Sequence, residues 1–178
     1  MLDVNNINLL ERARKVRLVV FDVDGVLTDG RLNFLPDGTE FKSFSTLDGQ
    51  GIKMLMNHGI QTAIITGRTS EVVKNRAANL SIPTLIQGRE DKRTALDEVL
   101  AALQLGYDDV AYLGDDLPDL PAIRCVGLGV AVANANSFVR LHADAVTSLR
   151  GGEGAARELC EFILHAQGML DAARQAYL

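Results

Sequence analysis

Residues 15–29 read KVRLVVFDVDGVLTD, an apolar, β-branched run that breaks into carboxylates, glycine and threonine. The first seven residues suit a strand buried on both faces, the kind that fills the middle of a parallel sheet. The polar loop behind them stands where open α/β sheets place their ligands, at a strand's C-terminal end. Asp22 and Asp24 lie two positions apart there, so their side chains leave the same face while Val23 points into the core. Two carboxylates held close repel each other and need a cation or a proton between them. A hard divalent ion with oxygen ligands, Mg²⁺ above all, meets that need. Alone, the D-x-D pair is more simply explained by a solvated turn at Asp24-Gly25, since turns commonly carry such residues.

Outward from this loop the pattern alternates. The stretch RLNFLPDGTEFKSFS carries the turn signal Pro36-Asp37-Gly38 between two strand-like segments, which predicts a β-hairpin inserted over residues 30–45. Helical patterning follows over 51–58, 70–79, 91–104 and 117–124, and from 153 to about 167. Strand-like runs occupy 60–66, 84–87, 110–113 and 126–132, with a further short one near Ala145. Residues 168–178 read as a tail or a helix extension. Strands separated by helices of this length imply βαβ units, hence an α/β fold with a doubly wound parallel sheet and helices on both faces. With no linker and no repeat, a single domain over 1–178 is expected.

Composition narrows the function classes. The 178 residues are 47% apolar with a net charge of −5, which suits a packed globule and not a disordered chain. No basic face is present for a nucleic acid. No apolar run approaches the roughly 18–20 residues that a membrane helix needs. The opening MLDVNNINLLERARKVR lacks the charged start and long apolar stretch of a secretion signal. Cys125 and Cys160 form no metal-type or redox-type pair, so two thiols in a reducing cytoplasm are expected.

Three further polar groups follow predicted strands. Thr66, in ITGR, ends the second, where a hydroxyl can hydrogen-bond a ligand oxygen or cap a helix. Lys92 opens the long helix, where its ammonium can neutralise an anionic group or simply be solvated. Asp115, Asp116 and Asp119, in GDDLPD after VAYL, can feed a metal or complement a helix dipole. In this order, with DVDGVLTD first, the four segments resemble the motifs of the haloacid dehalogenase superfamily of phosphohydrolases along nearly the whole chain.

The resemblance implies a Mg²⁺-dependent phosphatase. Asp22 would attack phosphorus, and Asp24 would protonate the leaving alcohol and then activate water. The metal would be held by Asp22, Asp115 and the backbone carbonyl of Asp24, with Asp116 and Asp119 in supporting positions. Thr66 and Lys92 would stabilise the phosphoryl oxygens. An acid at position 24 separates phosphate-ester hydrolases from the superfamily's dehalogenases and phosphonate hydrolases. Between Asp24 and Thr66 the chain holds only the hairpin and one helix, and between Thr66 and Lys92 only a helix and a strand. It therefore looks capless. FSTLDGQGI (residues 44–52), TGR (66–68) and GGEG (151–154) are similar to a capless bacterial branch that acts on an eight-carbon sugar acid phosphate in lipopolysaccharide biosynthesis. That branch implies a homotetramer, with substrate contacts from Ser45, Thr46, Leu47, Asp48, Gly49, Lys53, Arg68 and Arg76, in part across a subunit boundary. Its C-terminal tails help to close neighbouring sites. A phosphatase for a nine-carbon sugar acid and a silent assembly module of the same fold are the alternatives.

Overall fold

The computed structural model describes residues 2–178. The chain opens with helix α1 (Ile7–Lys15), then strand β1 (Leu18–Phe21) and the hairpin strands β2 (Asn33–Phe34) and β3 (Glu40–Phe41). Helix α2 (Thr46–Asn57), strand β4 (Gln61–Ile65), helix α3 (Glu71–Leu80) and strand β5 (Thr84–Ile86) complete the first half. The second half runs α4 (Lys92–Leu103), β6 (Val110–Gly114), α5 (Leu120–Cys125), β7 (Leu128–Ala131), α6 (Ser137–His142), β8 (Ala145–Val146), α7 (Ala155–Ala166) and α8 (Leu170–Gln175).

Six strands form one parallel sheet in the order β5-β4-β1-β6-β7-β8, while β2 and β3 pair separately and antiparallel. This is the doubly wound α/β architecture with a small hairpin that the strand–helix alternation predicts. The chain moves outward from β1 to β4 and β5, crosses back through α4 to β6, and then moves out the other way. The reversal falls between β1 and β6, which opens a crevice at their C-terminal ends. Register then sets the site. Phe21 is level with Ile64 and with Leu113, so Asp22, Thr66 and Asp115 emerge within one residue of the same height.

All four residues of β1 are fully buried, as a central strand covered on both faces requires. Helices α1, α2 and α7 pack together, and α4, α5 and α6 form a second contacting group.

Four elements depart from the sequence reading. Helix α1 has only Leu9 and Ala13 buried, too sparse a stripe to stand out amid ERARK, and it starts from the Asn6 cap. Helix α6 buries only Val139 and is likewise invisible as a pattern. Helix α2 begins at Thr46, capped by Ser45, well before the predicted start. Gly49 and Gly51 weaken the helical signal there. At Gly51 a Cβ would stand 3.0 Å from the Arg157 Cα, so the missing side chain is what lets α2 and α7 approach. The predicted helix over 117–124 divides into a 3₁₀ turn (Leu117–Asp119) and α5, with Pro118 and Pro121 each in a first turn, where a missing N–H costs little.

Candidate active site

The crevice between β1 and β6 holds a cavity of about 320 Å³. Asp22, Asp24, Thr66, Arg68, Lys92, Asp115, Asp116 and Asp119 all line it, so four separate sequence segments meet in one place. Asp22 extends the central ladder, its amide donating to the Leu113 carbonyl at 3.1 Å, and only 4% of the residue is exposed.

Lys92 is the electrostatic hub. Asp91 caps α4 by accepting from the Thr94 amide, which sets Lys92 in the first turn with its side chain turned inward and buried. Its ammonium lies 2.7 Å from Asp22 and 2.5 Å from Asp119. Burial works against that charge, but Asp22 and Asp119 outweigh it and hold the Lys92 pKa above the usual lysine value. For Asp22, burial dominates and raises the carboxyl well above its ordinary range, repulsion from Asp119 adds to it, and Lys92 pulls the other way.

Asp119 is saturated. One oxygen accepts from Lys92 and from the Tyr112 hydroxyl at 2.9 Å, the other from the amides of Asp115 and Asp116 at 3.0 and 3.3 Å. It therefore serves as an anchor for the loop after β6. Asp115 is the opposite case. Its carboxylate accepts no hydrogen bond from the described residues, and burial and then repulsion from Asp119 push its pKa up to about 7. It lies against Gly25, where a Cβ would overlap the carboxylate.

Carboxylate oxygens of Asp22, Asp115 and Asp119 come within 4.8 Å of one another. With Asp119 committed to four donors, Asp22 and Asp115 are the pair left to face a cation. An unpartnered, half-buried carboxylate beside a second one is the donor set that a hard divalent ion fits. The sign of the pH dependence follows. A proton on Asp115 excludes the cation below about pH 7, so Mg²⁺ should stabilise the metal-free protein more at pH 8 than at pH 6. At a hundredfold excess over its Kd the gain at pH 8 should be about 2.7 kcal/mol, roughly 5–10 °C in a thermal melt. Equal shifts at the two pH values would remove Asp115 from the ligand set.

Thr66 is buried at the end of β4, tied by its amide to the Ile86 carbonyl at 2.9 Å and by its carbonyl to the Arg89 amide at 3.1 Å. Its hydroxyl makes no hydrogen bond among the described residues, which leaves it for a ligand oxygen. Asp116 is exposed on the rim.

Two residues absent from the sequence reading complete the rim. The Lys42 side chain is only 1% exposed and hydrogen-bonds to Asp24. Glu40 accepts from Arg68 at 2.9 Å and from Ser70 at 2.8 Å, with Lys42 at 3.3 Å. Burial opposes the charge on Glu40, but hydrogen bonds from Ser70, Arg68 and Lys42 hold its pKa below the usual range. The signal was legible in EFKSF, where strand alternation puts Glu40, Lys42 and Phe44 on one face. Charged residues on the inward face of a short hairpin are the anomaly that marks them.

The remaining expected substrate contacts lie elsewhere within this chain. Ser45 caps α2, and Asp48 accepts from the amides of Arg157 at 2.8 Å and Gly154 at 3.4 Å, tying α2 to the start of α7. Burial raises the Asp48 pKa despite those amides. Arg76 donates to the Ser45 carbonyl at 3.0 Å and lies over the Phe44 ring. Ser45, Asp48, Gly49 and Arg76 enclose a space of only about 10 Å³. Thr46, Leu47 and Lys53 are exposed. The GGEG segment reaches the catalytic loop instead, the Gly152 amide donating to the Val26 carbonyl at 2.8 Å. Beyond Gly168 the chain forms a separate helix docked on its own subunit, with Ala173 buried and Arg174 paired to Glu161 at 2.7 Å.

Comparison with known proteins bears on this geometry. Residues 84–159 match the family model of haloacid dehalogenase-like hydrolases. The chain is 44% identical to the 3-deoxy-D-manno-octulosonate 8-phosphate phosphatase KdsC of Escherichia coli K12, over 94% of this chain and 89% of that protein. Its fold matches the crystal structure of the Moraxella catarrhalis 3-deoxy-D-manno-octulosonate 8-phosphate phosphatase, solved with magnesium, phosphate and the sugar acid. That match has a TM-score of 0.96 at 42% identity and covers 98% of this chain and 100% of the other. The Yersinia pestis enzyme matches with a TM-score of 0.91 at 45% identity, over 93% of this chain and 89% of the other. A cavity built on Asp22, Lys92 and Asp115, on a chain this similar throughout, places the protein in the 3-deoxy-D-manno-octulosonate 8-phosphate phosphatase family of haloacid dehalogenase-like hydrolases.

Proposed function

We propose that this protein hydrolyses 3-deoxy-D-manno-octulosonate 8-phosphate to the free sugar acid and phosphate, in lipopolysaccharide biosynthesis. The observation that carries the reading is the cavity itself, with a buried Asp22 paired to Lys92 at 2.7 Å and Asp24 beside it on the same loop. Family membership supplies the substrate class.

In the first step an Asp22 oxygen attacks phosphorus as the bond to the sugar oxygen breaks, giving an aspartyl-phosphate. Asp24 gives its proton to the departing oxygen. In the second step Asp24 takes a proton from water as that water attacks the aspartyl-phosphate, and Asp22 is released. Lys92 and the Thr66 hydroxyl face the phosphoryl oxygens and offset their charge. Mg²⁺, held by Asp22, Asp115 and the Asp24 carbonyl, would supply further charge neutralisation on the phosphoryl group. Asp119 holds Lys92 in place, and Asp116 stands at the rim to orient water.

The sugar acid's carboxylate calls for a forked cation, which Arg68 offers at the cavity edge. Ser45, Thr46, Leu47, Asp48, Gly49, Lys53 and Arg76 would contribute only from a neighbouring subunit. A homotetramer is consistent with the hairpin, which exposes Leu32, Phe34, Leu35 and Phe41 to about half their area. The free thiols of Cys125 and Cys160 suit a cytoplasmic location.

Phosphate release from a substrate panel tests the assignment. The eight-carbon sugar acid 8-phosphate should exceed a nine-carbon sugar acid 9-phosphate and hexose 6-phosphates in kcat/KM by at least about tenfold, a difference of roughly 1.4 kcal/mol. A higher value for the nine-carbon ester would replace the substrate. Asp24→Asn tests the acid. It should cut kcat on the sugar phosphate by about 10³ but on p-nitrophenyl phosphate by far less, since p-nitrophenolate leaves without a proton. Equal losses on the two esters would assign Asp24 to the second step alone.

A further inference from the structure

We infer that Lys42 is a positioning residue for Asp24, fixing which carboxyl oxygen carries the proton that goes to the leaving group. The inference rests on the acid–base role of Asp24 proposed above and adds to it a residue from the hairpin.

The geometry is specific. Strand β3 sends Glu40 and Lys42 inward while Phe41 points to solvent. Glu40 collects Arg68 and Ser70 from the loop after β4, and Lys42 reaches the loop after β1. The hairpin thus ties together the two loops that carry Asp24 and Thr66. Lys42 bonds to the Asp24 Oδ1 atom, while Arg68 Nε lies 3.8 Å from Oδ2. An ammonium has three donors and no acceptor, so the oxygen it bonds must offer a lone pair. Oδ1 does so whether or not the carboxyl is protonated. The carbonyl oxygen of a carboxylic acid is a stronger acceptor than its hydroxyl oxygen, so when Asp24 carries a proton, the ammonium on Oδ1 favours that proton on Oδ2. Lys42 selects the site of the proton, and its partner Glu40 balances its charge.

A buried lysine held on one oxygen of an acid also limits the rotation of that acid. A general acid must bring its proton within hydrogen-bond reach of the oxygen it serves, and a carboxyl free to turn presents the wrong oxygen part of the time. The proton still passes from Oδ2 to the sugar oxygen as the P–O bond breaks, and returns from water in the second step. No group beyond those already assigned takes part.

The test is a double-mutant cycle on two substrates, run with Mg²⁺ present. Lys42→Met keeps the length and removes the donor. Its kcat on the sugar acid phosphate should fall about 30- to 100-fold, part of the general-acid contribution, with KM within about twofold. On p-nitrophenyl phosphate the fall should stay under about threefold, because that leaving group needs no proton. In an Asp24→Asn background the same change should cost almost nothing more, since Lys42 acts through Asp24. Lys42→Arg, which keeps a donor on Oδ1, should restore most of the loss and covers the case in which the methionine variant fails to fold. Equal losses on both esters, additive losses in the cycle, or no restoration by arginine would each overturn the inference. If Asp24→Asn itself shows no preference between the esters, the acid role fails first. A selective Asp24→Asn beside an unselective Lys42→Met sinks only the role of Lys42.

Discussion

Asp22→Asn should lower kcat by a factor on the order of 10⁴ or more while leaving the fold intact, in line with removal of a nucleophile. The amide is a poor nucleophile and cannot form the aspartyl-phosphate. It is also a weaker partner for a cation, so affinity for Mg²⁺ should fall as well. Stability should change little or rise slightly. The Asp22 carboxyl is raised well above its ordinary range by burial, so its charge costs the folded state free energy that a neutral amide of the same shape avoids. That cost is present at neutral pH and disappears as the pH falls through the folded pKa, so the variant's advantage should shrink in acid. Rapid-quench labelling should find no phosphorylated intermediate in the variant. Activity above a few per cent of wild type, after mass spectrometry has excluded deamidation, would remove Asp22 as the nucleophile.

Lys92→Met should be costly twice over. In the wild type one buried ammonium stands between Asp22 at 2.7 Å and Asp119 at 2.5 Å. Methionine fills similar volume but leaves two buried carboxylates without their cation. Breaking a buried pair in this way typically costs about 3–5 kcal/mol. Loss of the cation that faces the phosphoryl oxygens should separately lower kcat by a factor on the order of 10³. The two effects part company with pH. Without Lys92 the folded pKa of Asp22, already raised by burial, moves further up, so the stability penalty is full at pH 8 and recedes as the pH drops and a proton takes the place of the ammonium. Chemical denaturation of the metal-free variant at pH 8 and pH 5.5 reads the first effect. Single-turnover kinetics at saturating Mg²⁺ read the second. A stability penalty that grows toward low pH would show that Lys92 is not what compensates these acids.

Local chemistry explains why the catalytic core was readable in the sequence. Asp22, Thr66 and Asp115 each follow an apolar run, and a parallel sheet must align the C-terminal ends of its central strands. Polar residues placed directly after those runs therefore converge, whatever the loops do. Lys92 was readable for a related reason, since Asp91 before an amphipathic pattern marks a helix start. Helices α1 and α6 escaped because so few of their residues are buried that no period forms. The roles of Ser45, Asp48 and Arg76 inside this chain escaped for a different reason. Capping Asp48 against α7 requires two segments far apart in sequence to meet, and nothing in either segment announces the other.

The parallel α/β sheet, the family and the four polar segments that meet in the cavity are all readable from the chain alone, because each depends on a short segment with its own pattern of burial and polarity. It takes the packed fold to show that Asp119 is spent on Lys92, Tyr112 and two amides while Asp115 is left for a cation. The fold also places Lys42 on Asp24, across a hairpin that the sequence marks only as a turn between two strands. Among neighbouring carboxylates of identical chemistry, the one left open to a cation and the one that binds lysine differ only in which donors the fold brings to them. Those donors come from strand, helix and hairpin alike, and their distances are set by packing.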